Sequence, residues 1–154
     1  MSGSLKLRLR DENIMTDLEK AIIELEQGNY TIVLVGNKDI FKSNERGVTP
    51  LLKLVESEKN YSFYSAADKV VGKAAAFLYI ILGIKKVHGN IISKLAADIF
   101  DKCNVEYTYN TLVENIKNRT NTGFCPMESA VKDLSNPQEA LEAIKHKLRE
   151  LNNK

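Results

Sequence analysis

Hydrophobic residues in the first third of the chain alternate between helical and strand-like spacing. Leu18, Ile22 and Leu25 recur on one helical face behind Thr16 and Glu19, which have the spacing of a capping box. The run YTIVLVG that follows is rich in β-branched residues and is typical of a buried strand, with KDIFKS as its antiparallel hairpin partner. The stretch TPLLKLVES then predicts a short helix with a proline in its first turn.

The remainder of the chain predicts further helices and strands in alternation. SAADKVVGKAAAFLYIILG predicts the longest buried helix, because apolar residues surround almost its whole circumference. KKVHGNI predicts a third strand, SKLAADIFDKCN an amphipathic helix capped by Ser93, and VEYTYNTLV begins with a fourth strand. The stretch 119–124 predicts a short fifth strand or a loop, and two helices starting at Pro126 and Pro137 close the chain.

This order predicts an α/β domain of three layers, α/β/α, around a mixed sheet of four to five strands. We expect a single domain over residues 14–152, preceded by an N-terminal tail over residues 1–13. The tail begins with the basic run MSGSLKLRLR, which lacks the apolar segment of a secretory signal. The longest apolar run, Ala74 to Leu82, is far shorter than the ~20 residues that span a bilayer.

Charge and cysteine content narrow the classes of partner further. The chain has 22 basic and 20 acidic residues spread along its length, a net charge of +2 that predicts no nucleic-acid partner. Two cysteines are too few for a disulfide framework. These features together predict a cytoplasmic protein that does not associate with membranes.

Three motifs, ERGVTPLL, SAADKVVGKAAA and RTNTGFCPME, occur in this order of elements. Motifs and order together resemble a small family of uncharacterised prokaryotic proteins, a domain of unknown function, grouped with the cytidine-deaminase-like fold. The resemblance runs from about Thr16 to Leu151. Because the function of that family is unassigned, the resemblance implies a fold and no particular activity.

The ligands of a deaminase zinc ion are missing from the expected places. Zinc deaminases carry a His or Cys two residues before a Glu at one helix start, and Pro-Cys-x-x-Cys at the next. Here the expected helix starts read SAADKVV and NIISKLAAD, while Cys103 falls at the far end of a helix and His88 on a strand. No Cys/His spacing suits tetrahedral zinc. We therefore expect a metal-free domain without a cofactor.

Cys125 is the first catalytic candidate. It stands directly before Pro126 and three residues before Glu128, as in a capping box at a helix start. Cysteine is not among the residues favoured at N-caps, and the positive end of a helix dipole favours a thiolate nucleophile. Glu128 opposes ionisation of a nearby thiol. The alternative is that Cys125 only begins the helix or lines a ligand pocket.

Asp68 is the second catalytic candidate, and Lys69 beside it is a candidate ligand-binding residue. Both are expected in the first turn of the long apolar helix, with Lys69 and Lys73 on one face. In a deaminase-like fold, this turn overlies the position that holds zinc in true deaminases. The alternative is a structural role, in which the acidic side chain of Asp68 stabilises the first turn of the helix.

Two loops supply the remaining ligand-binding candidates. Arg119, Thr122 and Gly123 precede the Cys125 helix, where a polar loop at a helix N-terminus can cradle an anion. Arg46, in the motif ERGV, is suited to a phosphate or carboxylate, and Gly47 to a backbone conformation that other residues resist. The alternative for the loop before Cys125 is a surface loop with a solvated arginine. The alternative for the ERGV motif is a turn closed by contact between Glu45 and Arg46.

These candidates lead to two hypotheses. The first is a metal-free, deaminase-like domain that binds a small anionic ligand, such as a nucleotide or nucleotide-derived metabolite, with Cys125, Glu128 and the basic residues around the pocket. Strand-to-helix junctions of open α/β sheets are where such ligands usually bind. The second is a non-catalytic structural or interaction protein that forms a homodimer through the long apolar helix and the hairpin edge. The sequence leaves open whether any reaction is catalysed.

Overall fold

A computed structural model of the chain describes residues 15–36, 38–117, 123 and 125–153. In this part of the chain, helices and strands alternate along most of the sequence. In chain order the elements are α1 (Asp17–Gln27), β1 (Ile32–Gly36), β2 (Asp39–Ser43), α2 (Thr49–Glu56), β3 (Ser65–Val71), α3 (Lys73–Leu82), β4 (Lys86–Ser93), α4 (Lys94–Lys102), β5 (Glu106–Val113), α5 (Pro126–Val131) and α6 (Pro137–Asn152).

The strands form one mixed sheet in the order β2-β1-β3-β4-β5. Strand β1 is antiparallel to both β2 and β3, whereas β3, β4 and β5 run parallel. The predicted hairpin and mixed sheet are therefore confirmed. The three parallel strands end at the same edge of the sheet, here called the carboxyl edge, and they begin at the opposite amino edge.

Helices cover both faces of the sheet, which gives the three predicted layers. Because side chains alternate along a strand, β1 contributes to two cores. On one face, Ala21 and Leu25 of α1 pack against Val33, Val35 and Ala67. The other face carries the larger core, which contains residues of β1, β3, β4 and the five remaining helices of the described chain.

Helix α3 lies in the middle of the larger core. Its residues from Lys73 to Tyr79 are all buried, and it packs against four other helices. Ala74, Ala75 and Ala76 leave room for this close packing, while Phe77 and Leu78 each contribute roughly 1.5–3 kcal/mol by burial. Gly83, at φ +79°, ends the helix in the left-handed conformation.

The segment SAADKVV, expected to start the long helix, is strand β3 instead. Its first four residues are all buried, so they lack the alternation between buried and exposed positions that distinguishes a strand from a buried helix. The helix begins only after Gly72. Strand β3 therefore brings the sheet to five strands. The stretch 119–124, where a short fifth strand or a loop was predicted, lies mostly outside the described residues.

Several local predictions are confirmed at atomic detail. Thr16 and Glu19 form a reciprocal capping box at α1, the Thr16 hydroxyl accepting from the Glu19 amide at 3.1 Å. The Ser93 hydroxyl accepts from the Ala96 amide at 3.1 Å and caps α4. Within the described residues, no helix is both long enough and apolar enough to cross a membrane. The expected tail 1–13 lies outside them.

Replacing Gly47 by alanine should lower stability, because this residue has φ +71° in the turn after β2. A Cβ atom there meets open space, so the loss is purely conformational and should be about 1 kcal/mol. Asparagine tolerates this conformation better, so Gly47→Asn should lose less. Urea unfolding of both variants measures the effect, and an alanine variant as stable as the parent would contradict it.

Candidate functional site

The start of α3 lies at the carboxyl edge and has no side-chain cap of its own. Its N-cap is Gly72, which leaves the first helical amides without a local acceptor. The carboxylate of Glu128, on α5, supplies the acceptor from far along the chain. Its Oε1 accepts from the Lys73 amide at 2.7 Å and its Oε2 from the Ala74 amide at 3.0 Å.

Gly72 provides the space in which this carboxylate sits. A Cβ atom at this position would lie 2.4–2.5 Å from the carboxyl atoms of Glu128, closer than nonbonded atoms approach. Burial raises the pKa of the Glu128 carboxyl above its ordinary value, although the two amides and the Lys73 charge oppose that shift. The contact therefore holds a buried carboxyl at a positively polarised helix end.

A small cavity adjoins Glu128, between the start of α4, the end of β5 and α5. Its volume of about 20 Å³ is room for about one water molecule. Beside it, Lys94 and Glu114 form an ion pair with 2.5 Å between Nζ and Oε1. The lining residues are Ser93, Leu95, Glu114, Asn115, Ile116, Glu128 and Lys132.

Lys73 and Lys69 do not share a helical face as predicted. Lys69 is exposed on β3, whereas Lys73 is the first residue of α3 and only 8% exposed. The Lys73 ammonium donates to the Lys132 carbonyl at 2.7 Å, and burial lowers its pKa. Lys73 thus joins α3 to the end of α5, next to the Glu128 contact.

Cys125 is the N-cap of α5, as predicted, but the expected capping box does not form. The side chain of Cys125 accepts no capping hydrogen bond, and Glu128 is turned toward α3. The Cys125 amide donates to the Ile116 carbonyl at 3.1 Å, and its half-buried side chain packs against the larger core. Cys125 therefore lies near the Glu128 cavity without lining it.

Asp68 lies within strand β3, not in a helical turn, so the helix-dipole role expected for it is wrong. Its carboxyl is buried against α3, where the Tyr79 hydroxyl donates to Oδ2 at 2.6 Å. The Val70 amide donates to Oδ1 at 3.3 Å. Burial raises the pKa of Asp68 to about 7, although these hydrogen bonds oppose the shift. Asp68 is not among the residues lining the Glu128 cavity.

The other predicted ligand-binding residues are spread along the carboxyl edge or fall outside the described chain. Arg46 is exposed after β2, which is separated from β3 by β1. Glu45 pairs with Lys53 at 3.0 Å, which replaces the expected contact with Arg46. Gly123 is exposed shortly before α5. Arg119 and Thr122 lie outside the described residues.

The structure thus brings Glu128 and Cys125 to one corner of the carboxyl edge and leaves Arg46, Asp68 and Lys69 elsewhere. Sequence reasoning missed the partners of Glu128, namely Gly72 and the amides of Lys73 and Ala74. The sequence signal available for this helix start was Gly72, which separates the β-branched residues Val70 and Val71 from the alanine run that follows Lys73. Nothing in the local sequence connects it with a glutamate more than 50 residues away.

The two helix starts at this corner carry no soft metal ligands. They read Gly72-Lys73-Ala74 and Ser93-Lys94-Leu95, without imidazole or thiol. Cys103 is at the far end of α4 and His88 on β4. Within the part of the chain that the structure describes, no three His, Cys, Asp or Glu side chains converge as a metal site.

A protein-family model described as TM1506, a domain of unknown function (DUF1893), matches residues 20–148. The chain belongs to the DUF1893 family. Among solved structures, the crystal structure of a DUF1893 family protein (TM1506) from Thermotoga maritima at 2.70 Å resolution is similar. The two chains are 23% identical, with a TM-score of 0.79 over 89% of this chain and 91% of that one. No curated protein matches the chain.

The similarity to TM1506 shows that the two proteins share a fold. Family membership confirms the small uncharacterised family expected from the three motifs, and it assigns no activity. Neither the family description nor that structure names a ligand or a reaction.

Replacing Asp68 by asparagine should remove a pH dependence of stability. The pKa of the Asp68 carboxyl is raised from 3.8 to about 7 in the folded protein. Neutral Asp68 therefore stabilises the folded state below pH 4, and this stabilisation is lost as the pH rises toward 7. This loss should be on the order of 4 kcal/mol, at about 1.4 kcal/mol per pKa unit. Asparagine stays neutral and keeps the shape of the buried group.

Urea unfolding of both proteins between pH 4 and pH 8 tests this. The free energy of unfolding of the parent should fall relative to that of Asp68→Asn as pH rises. Parallel curves for the two proteins would show that Asp68 titrates normally.

Proposed function

We propose that this DUF1893 protein is a metal-free domain of cytidine-deaminase-like architecture that binds a small anionic ligand, such as a nucleotide or nucleotide-derived metabolite. The site is the corner of the carboxyl edge at the start of α3. There, the anionic group of the ligand takes the place of the Glu128 carboxylate.

The observation that carries the proposal is the contact between Glu128 and α3. Two adjacent backbone amides already hold both oxygens of a carboxylate, at 2.7 and 3.0 Å, beside a glycine that leaves space for it. A phosphate or carboxylate group of a ligand is likewise an anion whose oxygens accept hydrogen bonds from backbone amides. Because burial raises the pKa of Glu128, a proton can release this side chain at a pH above its ordinary range.

The deaminase-like part of the proposal is supported by the position of the site. Helices α3 and α4 start side by side after the adjacent parallel strands β3 and β4. Zinc deaminases use two successive helix starts for their ligands. Here the nearby polar side chains include the Glu114 and Glu128 carboxylates and the Ser93 hydroxyl, with no imidazole or thiol, a set that does not fit the zinc ion of a deaminase. We therefore assign no metal-dependent step to this site.

Binding to this site should strengthen when Glu128 is removed. In Glu128→Ala, the two amides are free, and affinity for inorganic phosphate and cytidine monophosphate should rise roughly tenfold, the value of one charge-assisted hydrogen bond. In the parent protein, affinity should increase as pH falls and protonates Glu128, whereas the variant should lack this dependence on the Glu128 carboxyl. Isothermal titration calorimetry at several pH values measures both effects.

Glu114→Ala is the matched control, since Glu114 lines the same cavity but pairs with Lys94 and not with α3. It should leave the pH dependence in place. Equal affinities of the parent and Glu128→Ala for both probes would refute the proposal. Thermal unfolding checks that the variant folds, with an expected loss of about 1–2 kcal/mol for the missing cap.

A second candidate function, a homodimeric interaction protein, is favoured by strand β5. The long apolar helix proposed for this role is enclosed in the core, and the β2 edge carries Asp39 and Lys42. In the described chain, β5 pairs only with β4 and contains one charged residue, Glu106, in eight. Tyr109 is 45% exposed and Leu112 is 37% exposed. Edge strands usually carry charges, prolines or bulges that prevent pairing.

We propose that two copies pair antiparallel through β5 and form one continuous sheet about a two-fold axis. Analytical ultracentrifugation should then show a dimer for the parent chain. Tyr109→Lys places a charge in the pairing edge and should give a monomer. Ile40→Lys is the matched control, because Ile40 is 43% exposed on the opposite edge, and this variant should remain dimeric. A monomeric parent chain would exclude this interface.

A further inference from the structure

A cleft at the amino edge lies at the opposite end of the sheet from Glu128. Its cavity volume is about 230 Å³, more than ten times that beside Glu128. The start of α1, the segment before β3 and the start of β4 surround it. The lining residues are Thr16, Asp17, Leu18, Ser62, Phe63, Tyr64, Ser65, Lys85 and Lys86.

Ser65, at the base of this cleft, has an unused hydrogen-bonding group. The residue is only 7% exposed, and its hydroxyl has no hydrogen-bond partner within the described chain. No fully buried side-chain oxygen or nitrogen among the described residues lacks a partner, so the Ser65 oxygen is not fully buried, and Ser65 lines the cleft. A nearly buried hydroxyl beside a cavity is suited to a ligand or an ordered water.

Positive charge and free amides meet at the same cleft. Lys85 and Lys86 are exposed and form no ion pair with any described residue. Thr16 accepts the amides of Glu19 and Lys20, which leaves two first-turn amides of α1, on lining residues 17 and 18, without an acceptor in the described chain. One carboxylate, Asp17, opposes the two lysines, so the balance favours an anion.

Phe63 adds an apolar surface to this polar cleft. At 75% exposure it is the most exposed large hydrophobic residue of the described chain. Its neighbour Tyr64 is fixed by a 2.7 Å hydrogen bond to Asp39, which holds the segment beside the cleft. A free aromatic ring next to cationic and hydroxyl groups can stack on a flat ring of a ligand.

We propose that the amino-edge cleft binds a small anion that carries a flat ring, of the class of aryl phosphates. The anionic group lies between the two lysines, the free amides of α1 and the Ser65 hydroxyl, while the ring stacks on Phe63. The cavity is smaller than those of drug-sized ligands, which limits the ligand to about one ring and one anionic group. This site shares no residue with the proposed site at Glu128.

Titration of ¹⁵N-labelled protein with phenyl phosphate, and separately with inorganic phosphate, tests the proposal by residue-resolved NMR. Phenyl phosphate should shift the amide signals of Leu18, Ser65 and Lys86. Replacing Lys85 and Lys86 by serine should weaken binding roughly tenfold or more, because two charge-assisted contacts are lost. Phe63→Ala should reduce the affinity for phenyl phosphate to that for inorganic phosphate.

Lys69→Ser is the matched control, since Lys69 is an exposed lysine of the neighbouring strand outside the cleft. It should leave the affinity unchanged. The proposal is overturned if millimolar phenyl phosphate shifts no amino-edge signal, if Lys69→Ser weakens binding as much as the double variant, or if the shifts map to Glu128 and α3. The last outcome would support the carboxyl-edge site, so the two proposals fail separately.

Discussion

The contact between Glu128 and the first amides of α3 is the interaction on which this domain depends. Helix α3 is enclosed by other elements, so its terminal amides are poorly accessible to bulk solvent. Without the carboxylate, the two amides together would raise the free energy of the folded state by about 1–2 kcal/mol. Gly72 has no side chain to accept them, and the space it leaves admits the carboxylate of α5. The central helix and the C-terminal part of the chain therefore stabilise each other.

Two further polar contacts join α3 to its surroundings in the same way. The Lys73 ammonium binds the Lys132 carbonyl after α5, and Tyr79 binds Asp68 on β3. Each pairs a buried polar group that would otherwise oppose folding. As a result, α3 is held at its start by α5 and at its middle by the sheet. Through these contacts, the candidate site residues Asp68 and Glu128 also stabilise the fold.

The surface of the domain differs between the two ends of the sheet. At the carboxyl edge, the helix start is already occupied by an internal carboxylate, and the adjoining cavity holds about one water molecule. At the amino edge, a larger cleft contains two exposed lysines, together with two amides and the Ser65 hydroxyl that have no hydrogen-bond partner among the described residues. The usual preference of α/β sheets for ligands at the carboxyl ends of strands therefore does not by itself choose between the two proposed sites.

The sequence by itself determined the elements whose signals are local. The Thr16–Glu19 capping box, the β1–β2 hairpin and the Ser93 cap follow from spacings of a few residues, and all are present. Tertiary structure alone decided that Ser65–Val71 is a strand, because its first four residues are all buried and therefore show no alternation between buried and exposed positions. It also decided that Glu128 turns away from its own helix to α3. The orientation of Glu128 depends on the space at Gly72 and on the burial of the start of α3, which is more than 50 residues away in the sequence. A local sequence pattern predicts neither of these.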